Sequence, residues 1–151
     1  MDIGLISDTH GLLRPEALAA LQGCAAIVHA GDIGAAEVLT ALAGLAPLYA
    51  VRGNNDTSAW ARDIPETRTF ELDGQRLHLL HDLKTLALDP RRERIAAIVS
   101  GHSHRPLIES RDGVLYVNPG SAGPRRFSLP VTVARLSLAD GRAEARLIPL
   151  F

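Results

Sequence analysis

Cysteine is almost missing: Cys24 is the one thiol in 151 residues. No intrachain disulfide can form, which suits a reducing compartment. Cys24 stands before the apolar run Ala25-Ala26-Ile27-Val28 and reads as a small buried hydrophobe rather than a reactive nucleophile. Aromatic residues make up only 4% of the chain, too few to line a stacking platform for bases. Charge of one sign is also missing. The formal net charge of −1 gives no global pull toward nucleic acid or an anionic membrane. The longest apolar-rich stretch, Leu42 to Val51, is interrupted by Gly44 and Pro47. It falls far short of the roughly 20 residues a spanning helix needs. The first residues lack a basic segment followed by an apolar one, so no signal peptide is expected. There is no long linker, low-complexity tract or internal repeat. The expectation is one cytoplasmic domain over residues 1–151, with 46% apolar residues for its core.

What is present is an alternation of short apolar runs and helix-like segments. Ile3–Ile6, Ala25–His29 and Pro47–Val51 read as strands. Between them Arg14–Gln22 and Ala35–Ala43 read as helices, the first with Pro15 in its opening turn, where a missing N–H costs little. This β-α-β-α-β order predicts a parallel, right-handed unit. The second half is different. Arg68–Leu72 and Gln75–Leu80 flank Asp73-Gly74, a type I′ hairpin signal. Ile95–Val99 is a further strand. Pro106–Glu109 and Val114–Val117 flank Asp112-Gly113, and Pro130–Leu138 and Arg142–Leu150 flank a turn around Asp140-Gly141. The run Arg91-Arg92-Glu93-Arg94 reads as a solvated helical face. The sum is a mixed α/β sandwich with too many strands for one sheet.

Polar residues fall in a pattern on that map. Asp8 and His10 follow the first strand, Asp32 the second and Asn54 the third. His81 follows the strand ending at Leu80, and His102 and His104 follow the strand ending at Val99. Ligands of open α/β sheets bind beyond the carboxyl ends of strands, so a parallel arrangement gathers these seven on one rim. Two aspartates, one asparagine and four histidines, without cysteine, rule out a thiolate zinc site. They suit borderline divalent ions. Seven donors are too many for one such ion with an open position. They suit two ions sharing a carboxylate, an arrangement that serves phosphoester hydrolysis.

Asp8-Thr9-His10, Gly31-Asp32, Gly53-Asn54-Asn55-Asp56, His81 and Gly101-His102-Ser103-His104 occur in that order. The set resembles the calcineurin-like metallophosphoesterases. The short length, with Asn118-Pro119-Gly120-Ser121 and Gly123-Pro124-Arg125, looks like their small prokaryotic phosphodiesterase branch, which shares its fold with the retromer subunit Vps29. The resemblance implies a four-layer αββα sandwich of two mixed β-sheets flanked by helices. It implies a first metal on Asp8, His10, Asp32 and His104, and a second on Asp32, Asn54, His81 and His102, with Asp32 as the bridge. A metal-bridging hydroxide would attack phosphorus, so Asp32, Asn54 and His102 carry catalysis through the metals. Manganese is the first choice of ion, with nickel, iron, cobalt, zinc and magnesium as alternatives.

Two positions depart from the family pattern. Many relatives have a histidine where this chain has Asn55, and there it is thought to protonate the leaving group. Asn55 cannot do so at neutral pH. Asp82 stands where a glycine commonly follows the histidine; it either orients a ligand histidine or faces solvent. Asn55 and Arg125 are candidate substrate contacts, although a structural or solvated role for Arg125 is the simpler reading. His29 reads as a core histidine bonded to a neighbour, and His78 as pointing from the opposite sheet face to Leu77 and Leu79. Asp56 either bonds a ligand histidine or caps a turn. Trp60 either lines the mouth or packs in the core. Asn118–Ser121 reads as cavity wall. The expected partner is a small phosphoester, diester before monoester; nucleic acid and membrane are disfavoured, and a homo-oligomer is left open. A binding scaffold with no enzymatic activity is the rival class, which seven intact donors argue against.

Overall fold

The computed structural model describes residues 1–151. Its strands are β1 (Asp2–Ile6), β2 (Ala26–His29), β3 (Leu48–Ala50), β4 (Thr67–Leu72), β5 (Gln75–Leu80), β6 (Ile95–Val99), β7 (Leu107–Arg111), β8 (Val114–Asn118), β9 (Thr132–Ala139) and β10 (Arg142–Pro149). Helix α1 (Pro15–Ala20) joins β1 to β2, and α2 (Ala36–Ala43) joins β2 to β3. The strands form two five-stranded sheets, in the orders β10-β9-β1-β2-β3 and β4-β5-β6-β8-β7.

Each sheet holds three parallel strands: β1, β2 and β3 in the first, β5, β6 and β8 in the second. Hairpin partners complete both sheets with antiparallel pairs. The three predicted Asp-Gly turns are real. Both residues of Asp73-Gly74, Asp112-Gly113 and Asp140-Gly141 have positive φ, as a type I′ turn demands.

Burial follows from alternation. Ile3 and Leu5 of β1, Val28 of β2, Leu77 and Leu79 of β5, Val99 of β6 and Leu136 of β9 meet between the sheets. The opposite face of β1 and β2, with Ile6 and Ile27, packs under α1 and α2 through Ala17, Leu21, Val38 and Leu42. Strands β1 and β2 are covered on both sides, which is why they read as continuous apolar runs. Trp60 joins the helix-side core rather than the mouth of the site. On the outer face of the second sheet, Leu80, Ile98 and Val114 pack against Leu83, Leu86 and Leu88.

The fold is the predicted two-sheet sandwich, but its fourth layer is thin. Over the second sheet lies a 3₁₀ turn, Leu83–Thr85, followed by irregular chain. The expected helical face at Arg91–Arg94 is corrected to a single turn. The Asp89 carboxylate accepts the N–H groups of Arg91 and Arg92, which spends the turn locally, and Arg94 leaves it at φ 55°. No helix is long and apolar enough to cross a membrane.

Candidate metal centre

The exits of the parallel strands meet at one rim. The Asp8 N–H donates to the Gly31 carbonyl at 3.0 Å and the His10 N–H to the Asp32 carbonyl at 2.9 Å, tying the β1 and β2 exits together. The Gly101 N–H donates to the His81 carbonyl at 2.9 Å, which does the same for β5 and β6. Across the sheets, the His102 N–H donates to Asp8 Oδ2 at 3.1 Å.

Two trios of side chains result, Asp8 with His10 and His104, and Asp8 with Asp32 and His81, each with donor atoms within 4.8 Å of one another. Asp8 is fully buried. Its Oδ2 accepts from Ser7 Oγ at 2.7 Å, while Oδ1 lies 3.4 Å from His104 Nε2 and 3.9 Å from both His10 Nε2 and His81 Nε2. Asp32 Oδ2 lies 3.2 Å from His81 Nε2 and 3.8 Å from His10 Nε2. Both carboxylates thus stand between the two groups. His102 packs edge-on against His81, ring centroids 5.1 Å apart, and its Nε2 is 3.9 Å from Asp82 Oδ2. Exposed Asn54 lines a polar cavity together with His81, Asp82 and His102. The expected first-metal set is therefore gathered around Asp8 and Asp32. Asn54 and His102 stand beside the second trio rather than within it.

Hydrogen bonding leaves a gap at the centre. His81 Nδ1 sits 2.8 Å from the Ala30 carbonyl and donates to it. In the neutral ring that turns the Nε2 lone pair toward two carboxylates. Asp8 Oδ1, His81 Nε2 and His104 Nδ1 are buried without a hydrogen-bond partner. Unpaired buried polar atoms are costly, and a cation among the first two removes the mismatch. Electrostatics point the same way. Burial would push the Asp32 carboxyl up, yet the His81 imidazole beside it and the hydrogen bond from the Asn55 N–H, with charge on His81 and His10, hold it at about 2. Burial acts upward at Asp8 too, but His104, Ser7 and His81 bring that acid below its ordinary value. At His81 burial pulls down, but Asp32, Asp8 and the Ala30 carbonyl raise it. The cluster stabilises positive charge at its centre.

Backbone strain concentrates here. Ten residues other than glycine have positive φ, and five of them are Asp8, His10, Asp32, His102 and His104. Such conformations persist where surroundings over-determine them, typically at functional sites. Two glycines make room. A Cβ on Gly53 would collide with the Asp32 carboxylate, and one on Gly101 with Ser7 Oγ and the Asp8 carboxylate.

The remaining predicted positions sort cleanly. Asn55 donates from its backbone to Asp32 Oδ1 at 3.0 Å and from its side chain to Asp32 Oδ2 at 3.1 Å, so its amide orients a carboxylate. Asp56 accepts from the N–H groups of Ile33, Gly34 and Gly53, and so ties two loops together without touching a histidine. Arg125 is exposed and lines none of the cavities beside the cluster. His29 is fully buried. Its Nδ1 accepts from the Gly31 N–H, so its Nε2–H faces Thr9 Oγ1 at 3.0 Å, and burial lowers its pKa to about 4. His78 Nδ1 pairs with Thr69 Oγ1 at 2.7 Å. Asn118 donates to the Gly101 carbonyl and to Ser103 Oγ, bracing the loop that carries His102 and His104. Ser7 was not anticipated. A serine at a strand exit carries no signal of its own, and only the fold reveals that it turns back onto Asp8.

Relatives identify the family. Residues 1–141 match the calcineurin-like phosphoesterase superfamily domain. A probable metallophosphoesterase of Methanothermobacter thermautotrophicus is 33% identical, over 98% of this chain and 92% of that protein. A phosphodiesterase of Methanocaldococcus jannaschii is 28% identical, over 80% of this chain and 83% of that one. Among solved structures, a single mutant of Vps29 from Entamoeba histolytica superposes with a TM-score of 0.75, covering 99% of both chains at 20% identity. Fold and rim together describe a two-sheet sandwich with a candidate metal centre at the exits of its parallel strands. The chain belongs to the calcineurin-like phosphoesterase superfamily and is a metal-dependent phosphoesterase.

Proposed function

We propose that this protein is a dinuclear phosphodiesterase, one cytoplasmic domain over residues 1–151 that hydrolyses small phosphodiesters. The observation that carries the reading is the pair of buried, unpartnered atoms Asp8 Oδ1 and His81 Nε2, 3.9 Å apart with no proton to share while His81 is neutral. Two trios that share the Asp8 carboxylate, with Asp32 in the second, support two ions rather than one. Asp8, His10, Asp32 and His104 would hold the first. Asp32, Asn54, His81 and His102 would hold the second, after Asn54 and His102 turn inward from the exposed positions they occupy. Manganese suits this mixture of imidazole and oxygen donors. When bound, the ions would supply Lewis acidity, stabilising charge on the phosphoryl oxygens and lowering the pKa of water.

The chain's own groups prepare that chemistry. The Ala30 carbonyl fixes the His81 tautomer. Ser7 and the His102 N–H take one oxygen of Asp8 and leave the other free. Asn55 holds Asp32 by both of its oxygens. With that amide committed, no acid stands at the family position for the leaving group. The enzyme therefore favours esters whose alcohols leave without help. The name of the Methanocaldococcus relative supports diesters before monoesters. Turnover of bis-p-nitrophenyl phosphate against p-nitrophenyl phosphate, with Mn²⁺ added, tests this. The diester is expected to be preferred. A marked preference for the monoester reverses the ranking, and an inert metal-loaded protein restores the scaffold reading.

A further inference from the structure

Two of the cavities beside the rim meet at His102, and they differ in kind. Arg52, Asn54, Glu66 and His81 line the first, of about 360 Å³, which contains no hydrophobic residue. Leu83, Pro106, Leu107 and Tyr116 wall the second, of about 680 Å³, on the outer face of the second sheet. That volume lies within the usual range for small-ligand sites, roughly 300–1,000 Å³. His102 and Asp82 line both cavities and form the partition between them.

The larger cavity exists because the layer over the second sheet is thin. The 3₁₀ turn Leu83–Thr85 covers Leu80 and Ile98, but leaves the edge formed by β7 and β8 open beside it. Leu107 is 41% exposed there. Tyr116 is fixed by Arg111, whose guanidinium carbon lies 4.9 Å over its ring. The mouth is cationic. Lys84 and Arg105 line it against Asp82 alone. The arginine ion pairs of the chain are made by Arg52, Arg76, Arg111 and Arg135, so both cations are free to meet an anion.

Building on the phosphodiesterase reading, we propose that the substrate is a diester with one aromatic arm. That arm lies in the cavity walled by Leu83, Pro106, Leu107 and Tyr116, and the second, polar arm faces the cavity lined by Asn54 and Glu66. The phosphate sits at the partition, beside His102, with Lys84 and Arg105 offsetting its charge. In the reaction a water oxygen bonds to phosphorus and the P–O bond to one arm breaks. One proton of that water goes to the departing alcohol and the other to solvent as the monoester ionises. Placing the aromatic arm orients the phosphorus without any contact to the reacting bond.

Calorimetry on the Mn²⁺-loaded protein with diphenyl phosphate and dimethyl phosphate tests the assignment. Diphenyl phosphate is expected to bind about tenfold tighter or more, as burial of a ring implies. Leu107→Glu should bring the affinity ratio close to one. The position is on an edge strand and partly exposed, so the variant folds. A ratio near one in the unaltered protein overturns the aromatic arm, and so does a ratio that Leu107→Glu leaves intact. Either result accompanied by turnover of bis-p-nitrophenyl phosphate leaves the phosphodiesterase standing. A protein that keeps the ratio but hydrolyses no phosphoester overturns the reading on which the proposal rests.

Discussion

The first sheet releases Asp8 and His10 after β1, Asp32 after β2 and Asn54 after β3. The second releases His81 after β5 and His102 and His104 after β6. Both halves use the same device, parallel strands ending at a common rim. Their donors differ. The first sheet brings every carboxylate and the second brings imidazoles alone. The negative charge that attracts a cation thus belongs to one layer, and most of the neutral donors that complete its shell belong to the other. Neither sheet makes a site by itself, and the core between them holds the halves in register.

Removing a first-sheet carboxylate breaks this division most severely. Asp32→Asn is expected to lower diesterase activity by about 10²–10³-fold, on the scale of losing a key electrostatic group, and to deplete bound metal in elemental analysis. Full occupancy in that variant would remove Asp32 from the shared position. Next in size is the point where the sheets touch. Gly101→Ala sets a methyl group against Ser7 and the Asp8 carboxylate, and a displacement near 1 Å costs about 10²-fold in rate. Circular dichroism should remain that of the folded protein while metal content falls. A variant with normal metal content shows that the loop yields.

A cation gripped by both layers should also stabilise their packing. At about 100 times its dissociation constant the gain is about 2.7 kcal/mol, or a Tm shift of roughly 5–10 °C for a chain of this size. Scanning calorimetry with Mn²⁺ and then with chelator reads this directly, and superimposable scans sever the link between site and sheet packing. The smallest difference to be measured concerns a histidine of the first sheet that takes no part in the donor set. His29 is held near pKa 4 in the folded chain against 6.5 unfolded. The unfolded chain therefore binds the extra proton first as pH falls. The contribution of His29 is complete above pH 6.5 and disappears toward pH 4, about 3 kcal/mol in all. In urea titrations of metal-free protein, the share of the pH 7 to pH 5 difference due to His29, read against His29→Gln, should be about 2 kcal/mol. His29→Gln should flatten that dependence and leave metal content nearly intact; stripping of metal would put His29 among the ligands.

Much of this architecture could be read from residues alone, for definite reasons. Strand periodicity is a local property, so β1, β2 and β6 were visible as apolar runs and the three Asp-Gly turns as hairpins. The rim was legible because donors that follow strand ends announce themselves in order. What escaped depends on distance through space. That Asn55 binds Asp32, that Asp56 ties three backbone amides, and that Ser7 turns onto Asp8 are facts about loops meeting, with no periodicity to reveal them. The Arg91–Arg94 turn was misread because four charged residues carry no apolar face to set a helix against the sheet, while Asp89 competes for their amides.

The left-handed backbone of five rim residues has a consequence for how such a chain can age. Each of these positions costs on the order of 1–3 kcal/mol that glycine would not incur. Exchange of exposed His102, at φ 70°, for glycine should make the metal-free protein more stable while it loses a donor. Relaxed selection on hydrolysis therefore lets mutation at this one exposed position drift downhill in energy, whereas buried Asp8 and Asp32, which accept hydrogen bonds from Ser7, the His102 N–H and Asn55, are held in place by the fold itself.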